Sequence, residues 1–292
     1  MQHLLNALPI RSYDHWTDTI DLMPLFYRLT LDSATEFLFG ESVGTQSAAI
    51  QSSGTEWQKH ANFARVFDRS QDAIAKAFKY GDFYWLGITK QYKQDCKEVH
   101  AYIDALVQRT LAPQEKPRHN ADKYIFLEQL AMVTSDPVEI RDQALSILVA
   151  GRDTTAGLLS FLFLTLSQKP DVFKKLRSSI IETFGTSNDA ITFEGLKACQ
   201  YLQWCLNETL RLYPSVPGNA RRSVVDTTLP RGGGPNGQSP IFVPKGTEVS
   251  YLIYTTHRAP DFWGPDANEY KPERWNGRKV GFDFLPFNAG PR

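Results

Sequence analysis

Cysteine is scarce in this 292-residue chain, with only Cys96, Cys199 and Cys205, no CxxC and no metal-type pairing. A disulfide framework is therefore not the organising device. The six histidines are scattered without an HExxH, which argues against a zinc site. An excess of one charge is also missing. Lys plus Arg and Asp plus Glu both number 32, so the electrostatic footprint of a nucleic-acid binder is lacking. Long apolar runs are few. The most apolar, Leu158 to Leu166, is too short to cross a bilayer and includes Ser160 and Thr165. Met1 to Arg11 has no continuous apolar core of the kind that opens a signal peptide, so the chain itself is expected to be unanchored. What is present is a globular balance of 42% hydrophobic and 22% charged residues, enough for one large core or two modest ones.

The first half is patterned for helices. Apolar residues recur every three or four positions from Asp18 to Phe39, with Gly40 as a stop, and aromatic-rich helical patterns follow over Glu56 to Phe78 and Phe83 to Leu111. Pro113 to Asp122 is polar, holds two prolines and is expected to be a loop. Asp136-Pro137-Val138-Glu139 predicts a helix start, with Asp136 capping, Pro137 in the first turn and Glu139 reaching back as in a capping box. Nothing breaks that helix before Lys169-Pro170, so it should run about 50 Å at 1.5 Å per residue. Another helix is expected from Phe193 to Tyr213. Short strands are expected at Val224–Leu229, Ile241–Val243 and Glu248–Thr256, with Gly232-Gly233-Gly234 as a hairpin connection. That glycine run lacks the Gly-Lys-Ser/Thr of a phosphate loop.

The long helix contains Ala150-Gly151-Arg152-Asp153-Thr154-Thr155, and Gly151 costs it about 1 kcal/mol relative to alanine. Two explanations stand. Gly151 could allow a close helix–helix approach while the threonines bond back to carbonyls one turn earlier. Alternatively, Ala150 and Gly151 leave a groove beside a flat ligand, a diverted threonine hydroxyl opens a local bulge, and Asp153 relays protons. Downstream, Asn207-Glu208-Thr209-Leu210-Arg211 carries a Glu/Arg pair that alone would be a surface pair worth about 0.2–0.5 kcal/mol. Its company makes it specific: Tyr270-Lys271-Pro272-Glu273-Arg274-Trp275 follows, and then Phe287-Asn288-Ala289-Gly290-Pro291-Arg292.

Together these four segments resemble the cytochrome P450 haem-thiolate monooxygenases. AGRDTT is similar to the oxygen-binding stretch of the central I helix, ETLR to the ExxR of the K helix, YKPERW to the PER segment, and FNAGPR to the start of the haem loop FxxGxRxCxG. The phrasing LTLDSATEFLFGES, LRLYPSVPGNARRS and HRAPDFWGPDA is most similar to fungal microsomal members that hydroxylate alkanes and fatty acids. The resemblance implies a mainly α fold with a small β region, a cytochrome P450 fold truncated at both ends. It would form one partial domain: 1–135 a distal helical part, 136–169 the central helix, 170–218 helices leading into ExxR, and 219–292 the β region, PERW segment and haem-loop start.

By the same resemblance, Thr154 assists protonation of dioxygen with Asp153 as its acidic neighbour, and Ala150 and Gly151 border the haem. Glu208, Arg211 and Arg274 form a buried charge network. Arg221 and Arg292 face the haem propionates, Phe287 is the leading aromatic of the loop, and Val216 and Pro217 line the substrate pocket. The implied cofactor is haem b, with electrons from NADPH through NADPH–cytochrome P450 reductase. The implied partners are O2 and an apolar small molecule, possession of a nucleic-acid partner is not implied, and the intact family member sits in the endoplasmic reticulum membrane. The axial cysteine would follow one residue after Arg292, so no metal ligand is expected among the three cysteines, which are read as small buried or half-buried thiols. A fragment is expected, with two alternatives: a piece of a working monooxygenase, or a catalytically inactive remnant that acts at most as an interaction module.

Overall fold

The structure, a computed structural model, describes residues 2–11, 16–50, 55–112, 124–186 and 191–290. The chain divides into two compact units, Met1–Ala156 and Gly157–Arg292. The predicted loop at Pro113 to Asp122 and Arg292, the expected propionate contact, lie outside the described residues.

In the first unit, α1 (Gln2–Asn6) precedes α2 (Met23–Phe39), α3 (Thr45–Ile50), α4 (Thr55–Phe78), a 3-10 helix at Gly81–Gly87, α5 (Lys90–Leu111), α6 (Phe126–Ala131) and the start of α7 (Pro137–Gln168). Helix α2 begins later than its apolar pattern, because the Asp21 carboxylate accepts from the Met23 N–H at 2.9 Å and Pro24 fits the first turn. It ends as expected at Gly40, whose φ of 76° is open to glycine at little cost. The helix expected over Phe83 to Leu111 is interrupted. Thr89 has extended backbone and its hydroxyl accepts from the Tyr92 N–H at 3.0 Å, which starts α5 afresh.

The core of this unit follows helical spacing: Leu31 and Leu38 from α2, Phe63 and Phe67 from α4, and Val99, Ile103 and Val107 from α5. Against them lie Ile140, Ala144 and Leu148, successive i, i+4 positions on one face of α7. Burying each of the larger aliphatic side chains contributes about 1.5–3 kcal/mol. Asp136 caps α7 by accepting from the Val138 N–H at 2.9 Å, but the capping box does not close. Glu139 instead accepts from the Thr134 hydroxyl at 2.8 Å, and that hydroxyl accepts from the Asp136 N–H. By length and composition α7 could cross a membrane, although Ile140, Ala144 and Leu148 are buried in the core of the first unit and Leu162 and Leu166 in that of the second.

In the second unit the end of α7 packs through Leu162 and Leu166 on α8 (Pro170–Phe184) and α10 (Gln200–Leu212), around Leu176, Tyr201 and Cys205. The single helix expected over Phe193 to Tyr213 is two. Cys199, with ψ at 77°, separates α9 (Phe193–Ala198) from α10, and Thr192 caps α9 through the Gly195 N–H. Strand β1 (Asn219–Arg222) pairs antiparallel with β4 (Glu248–Tyr251), and β2 (Thr227–Gly233) with β3 (Ser239–Val243). The first of these was not marked by β-branched residues, and Val224 and Val225 lie outside any strand. The glycine run is part of a hairpin as expected, its turn closed by the Gly232 N–H on the Gly237 carbonyl at 2.9 Å. The strand expected to reach Thr256 stops at Tyr251. Ile253–Thr256 is a helical turn, α11, held where the Tyr254 N–H donates to the Pro217 carbonyl. Helix α12 (Pro260–Trp263) and a 3-10 turn at Pro272–Trp275 complete the unit.

Candidate functional site

The Glu208/Arg211 pair is not a surface pair. Both side chains are fully buried, held by α10 against the 3-10 turn at Pro272–Trp275. Arg211 uses all five of its N–H donors. Nε and one Nη2 hydrogen reach the two Glu208 carboxylate oxygens at 2.9 Å each, Nη1 donates to the carbonyls of His257 and Ala267, and Nη2 also to that of Glu269. Glu208 in turn accepts from Arg274 Nε at 2.8 Å, the Lys271 N–H at 2.9 Å and Trp275 Nε1 at 3.0 Å. Arg274 closes the group on Asp266 and the carbonyls of Trp263, Asp266 and Glu269. Hydrogen bonds from Lys271 and Arg274 hold the Asp266 carboxyl down at about 2. Two guanidinium ions and one carboxylate can stay buried here because nearly every polar atom is matched. The structure thus brings Glu208, Arg211 and Arg274 together as the resemblance implied.

His257 belongs to the same group, and nothing in its sequence setting marks it. It is fully buried, its Nδ1 lies 3.2 Å from the Arg211 carbonyl oxygen, and its Nε2 accepts from the Leu285 N–H at 2.7 Å. Burial is the main cause that lowers its pKa to about 4. Phe284, next to Leu285, packs on Trp275 and Trp263 with ring centroids 4.6 Å and 6.3 Å apart.

Beyond Leu285 the loop turns sharply. Asn288 adopts φ of 68° and Gly290 φ of 89°, and Asn288 Oδ1 accepts from the Tyr251 hydroxyl at 2.7 Å. Tyr251 is on β4, opposite Asn219 in the β1–β4 pair, so the loop is tethered to the strand that pairs with the one carrying Arg221. Arg221 is exposed, bonds only to Asn219 Oδ1 and the Ala220 carbonyl, and makes no ion pair among the described residues. Phe287 is 81% exposed, and Val216 and Pro217 are exposed as well. Tyr251 is a second contributor that sequence reasoning missed.

In the first unit, α7 remains an unbroken α-helix through Ala150-Gly151-Arg152-Asp153-Thr154, so the bulge that one of the two explanations required is absent. The Thr154 hydroxyl donates back to the Ala150 carbonyl at 2.6 Å. Close helix packing does not explain Gly151. A Cβ built there would meet nothing within 4 Å, while the Thr154 back-bond is the part of the packing reading that is seen. Arg152, which the sequence analysis did not single out, is buried. It bridges Asp153 at 3.0 Å and Asp68 of α4, with its guanidinium over the rings of Tyr27 and Phe67. Desolvation raises the Asp153 and Asp68 carboxyls above the usual range, against the opposing pull of Arg152. Arg152, Asp153, Asp68, Asp72 and Tyr27 line a cavity of about 770 Å³. A carboxyl raised in this way, beside a cavity that also exposes other charged groups, can accept and return a proton.

The cysteines are thiols in packing positions. Cys205 is fully buried, and burial pushes its pKa up to about 12, while Cys199 is buried and Cys96 half-buried. No cluster of three metal-type ligands occurs among the described residues.

A sequence profile described as Cytochrome P450 matches residues 9–292. Among similar proteins, Cytochrome P450 monooxygenase g430 of Fusarium sp is 46% identical, covering 100% of this chain and 53% of its own length. Cytochrome P450 52A13 of Debaryomyces hansenii is 48% identical over 94% of this chain and 55% of its own. Cytochrome P450 52A4 of Candida maltosa is also 48% identical, over 94% of this chain and 53% of its own. The chain spans about half the length of these curated relatives.

Proposed function

This chain belongs to the cytochrome P450 family, and from that premise we propose that the intact protein is a haem-dependent monooxygenase. It inserts one atom of O2 into a C–H bond of an apolar substrate, a long-chain alkane or fatty acid, at the endoplasmic reticulum membrane. Electrons come from NADPH through NADPH–cytochrome P450 reductase. The observation that carries the reading is the buried Glu208–Arg211–Arg274 group, which through its carbonyl and tryptophan partners fixes the approach to the FNAGPR loop.

The family implies haem, and the described residues fit its periphery. Gly151 leaves space where any larger side chain would stand, and the exposed Phe287 ring offers apolar contact. Arg221 is a cation without a carboxylate partner among the described residues, as a propionate contact requires. Cys205 does not fit the axial position, since burial raises its thiol to about 12. The ligand is assigned to the cysteine of the FxxGxRxCxG loop whose first six residues are Phe287 to Arg292. When bound, haem supplies the activation of O2. The chain's own residues then have separate tasks. By the family's pattern Arg221 and Arg292 would bind the anionic edge, Ala150 and Gly151 would border the haem, and Val216 and Pro217 would contact apolar substrate. Thr154 and Asp153 would carry protons, with Arg152 holding the Asp153 carboxylate at the rim of the cavity.

The test is the absorption spectrum of the intact protein, reduced and exposed to carbon monoxide. A strongly red-shifted, thiolate-type Soret band is expected. A histidine-type band, or none, contradicts the assignment.

A further inference from the structure

We propose that His257 is the positioning residue that transmits the place of the buried Glu208/Arg211 pair to the start of the haem loop. The role rests on the haem-loop reading above. Its geometry does not. His257 is joined to Arg211 twice: its carbonyl accepts from Arg211 Nη1 at 2.8 Å, and its ring Nδ1 lies 3.2 Å from the Arg211 carbonyl oxygen. A carbonyl only accepts, so Nδ1 carries the proton. On the other side of the ring the donor is the Leu285 N–H, at 2.7 Å, so Nε2 presents a lone pair. Both demands are met by the neutral ring in one tautomer, and full burial enforces that state.

The ring thus spans from the last turn of α10 to Leu285, two residues before the loop begins at Phe287. Its apolar face lies on Phe284, ring centroids 5.2 Å apart, and Phe284 in turn packs on Trp275, whose Nε1 donates to Glu208. The circuit from Glu208 through Arg211, His257, Phe284 and Trp275 closes on itself. Only one of its links grips the backbone that leads into the loop, and that link is Nε2 to Leu285. The Glu/Arg pair makes the region stable, while His257 fixes where the loop departs.

Three variants of the intact protein separate positioning from filling space. His257→Gln keeps an acceptor near the place of Nε2. His257→Asn keeps a donor near Nδ1 but falls short of Leu285, and His257→Leu keeps only bulk. Amide hydrogen exchange at Leu285 is the first readout, because it needs no haem. Loss of this bond is expected to speed exchange on the order of tenfold in the Asn and Leu variants, with the Gln variant close to the parent and the α10 amides still protected. The proportion of thiolate-type carbonyl complex should fall in the same order. Unchanged Leu285 protection in His257→Leu, or a Gln variant as unprotected as the Leu variant, overturns the proposal. If the parent shows no thiolate-type band while exchange follows the expected order, the haem reading fails and the tether stands.

Discussion

Glu208→Ala is expected to destabilise the intact protein by about 3–5 kcal/mol and to abolish haem retention. The size follows from what the substitution leaves behind. Glu208 accepts five hydrogen bonds, from two guanidinium ions, a backbone N–H and an indole. Its removal strands Arg211, which is fully buried and cannot lose its proton. Glu208→Gln should be nearly as damaging, because its NH2 group would be turned towards donors. The exposed pair between Lys175 and Glu273 is the control, since Lys175→Ala should cost less than about 1 kcal/mol. Urea denaturation of the three variants, with haem content measured in parallel, decides the matter. A loss below about 1 kcal/mol for Glu208→Ala would mean that the group is not what holds this region together.

Thr154→Ala should act on chemistry and leave stability alone. Alanine is the better helix former, and the Thr154 hydroxyl returns a hydrogen bond to the Ala150 carbonyl of its own helix. Haem content and the melting temperature should therefore hold, while product formed per O2 consumed falls. Asp153→Asn removes the titrating group itself, and turnover is expected to drop on the order of 10²–10⁴-fold, the usual worth of a placed acid or base. Oxygen uptake measured alongside product is the check. Coupling unaltered in Thr154→Ala, with turnover unaltered in Asp153→Asn, would remove both residues from the proton route.

Local signals were legible in the sequence where a residue and its partner are close along the chain. Asp136 with Pro137 marked the start of α7, and Gly40 marked the end of α2, because caps are satisfied within a turn. The breaks at Thr89 and Cys199 were not read. Thr89 is a capping residue inside a run whose apolar pattern continues across it, and Cys199 carries no breaker chemistry. The capping box failed for a similar reason, as Thr134 offered Glu139 a competing donor.

At the site, Glu208, Arg211 and Arg274 could be assigned because a family pattern names them. His257, Tyr251 and Arg152 could not. The Leu285 partner of His257 lies 28 positions away, the Asn288 partner of Tyr251 lies 37 away, and the Asp68 partner of Arg152 lies 84 away. Spacing along a chain carries no record of such contacts. What a sequence could offer was only residue type: a histidine and a tyrosine among strongly patterned neighbours, and an arginine inside an apolar helix, where a charge demands a partner.

The most direct measurement follows the oxygen. The intact protein, given reductase, NADPH and a long-chain fatty acid or alkane under ¹⁸O₂, should yield a hydroxylated product carrying one labelled oxygen atom, with the other in water. A product labelled from H₂¹⁸O instead, or no oxygenated product from a protein that retains haem, would contradict the monooxygenase reading.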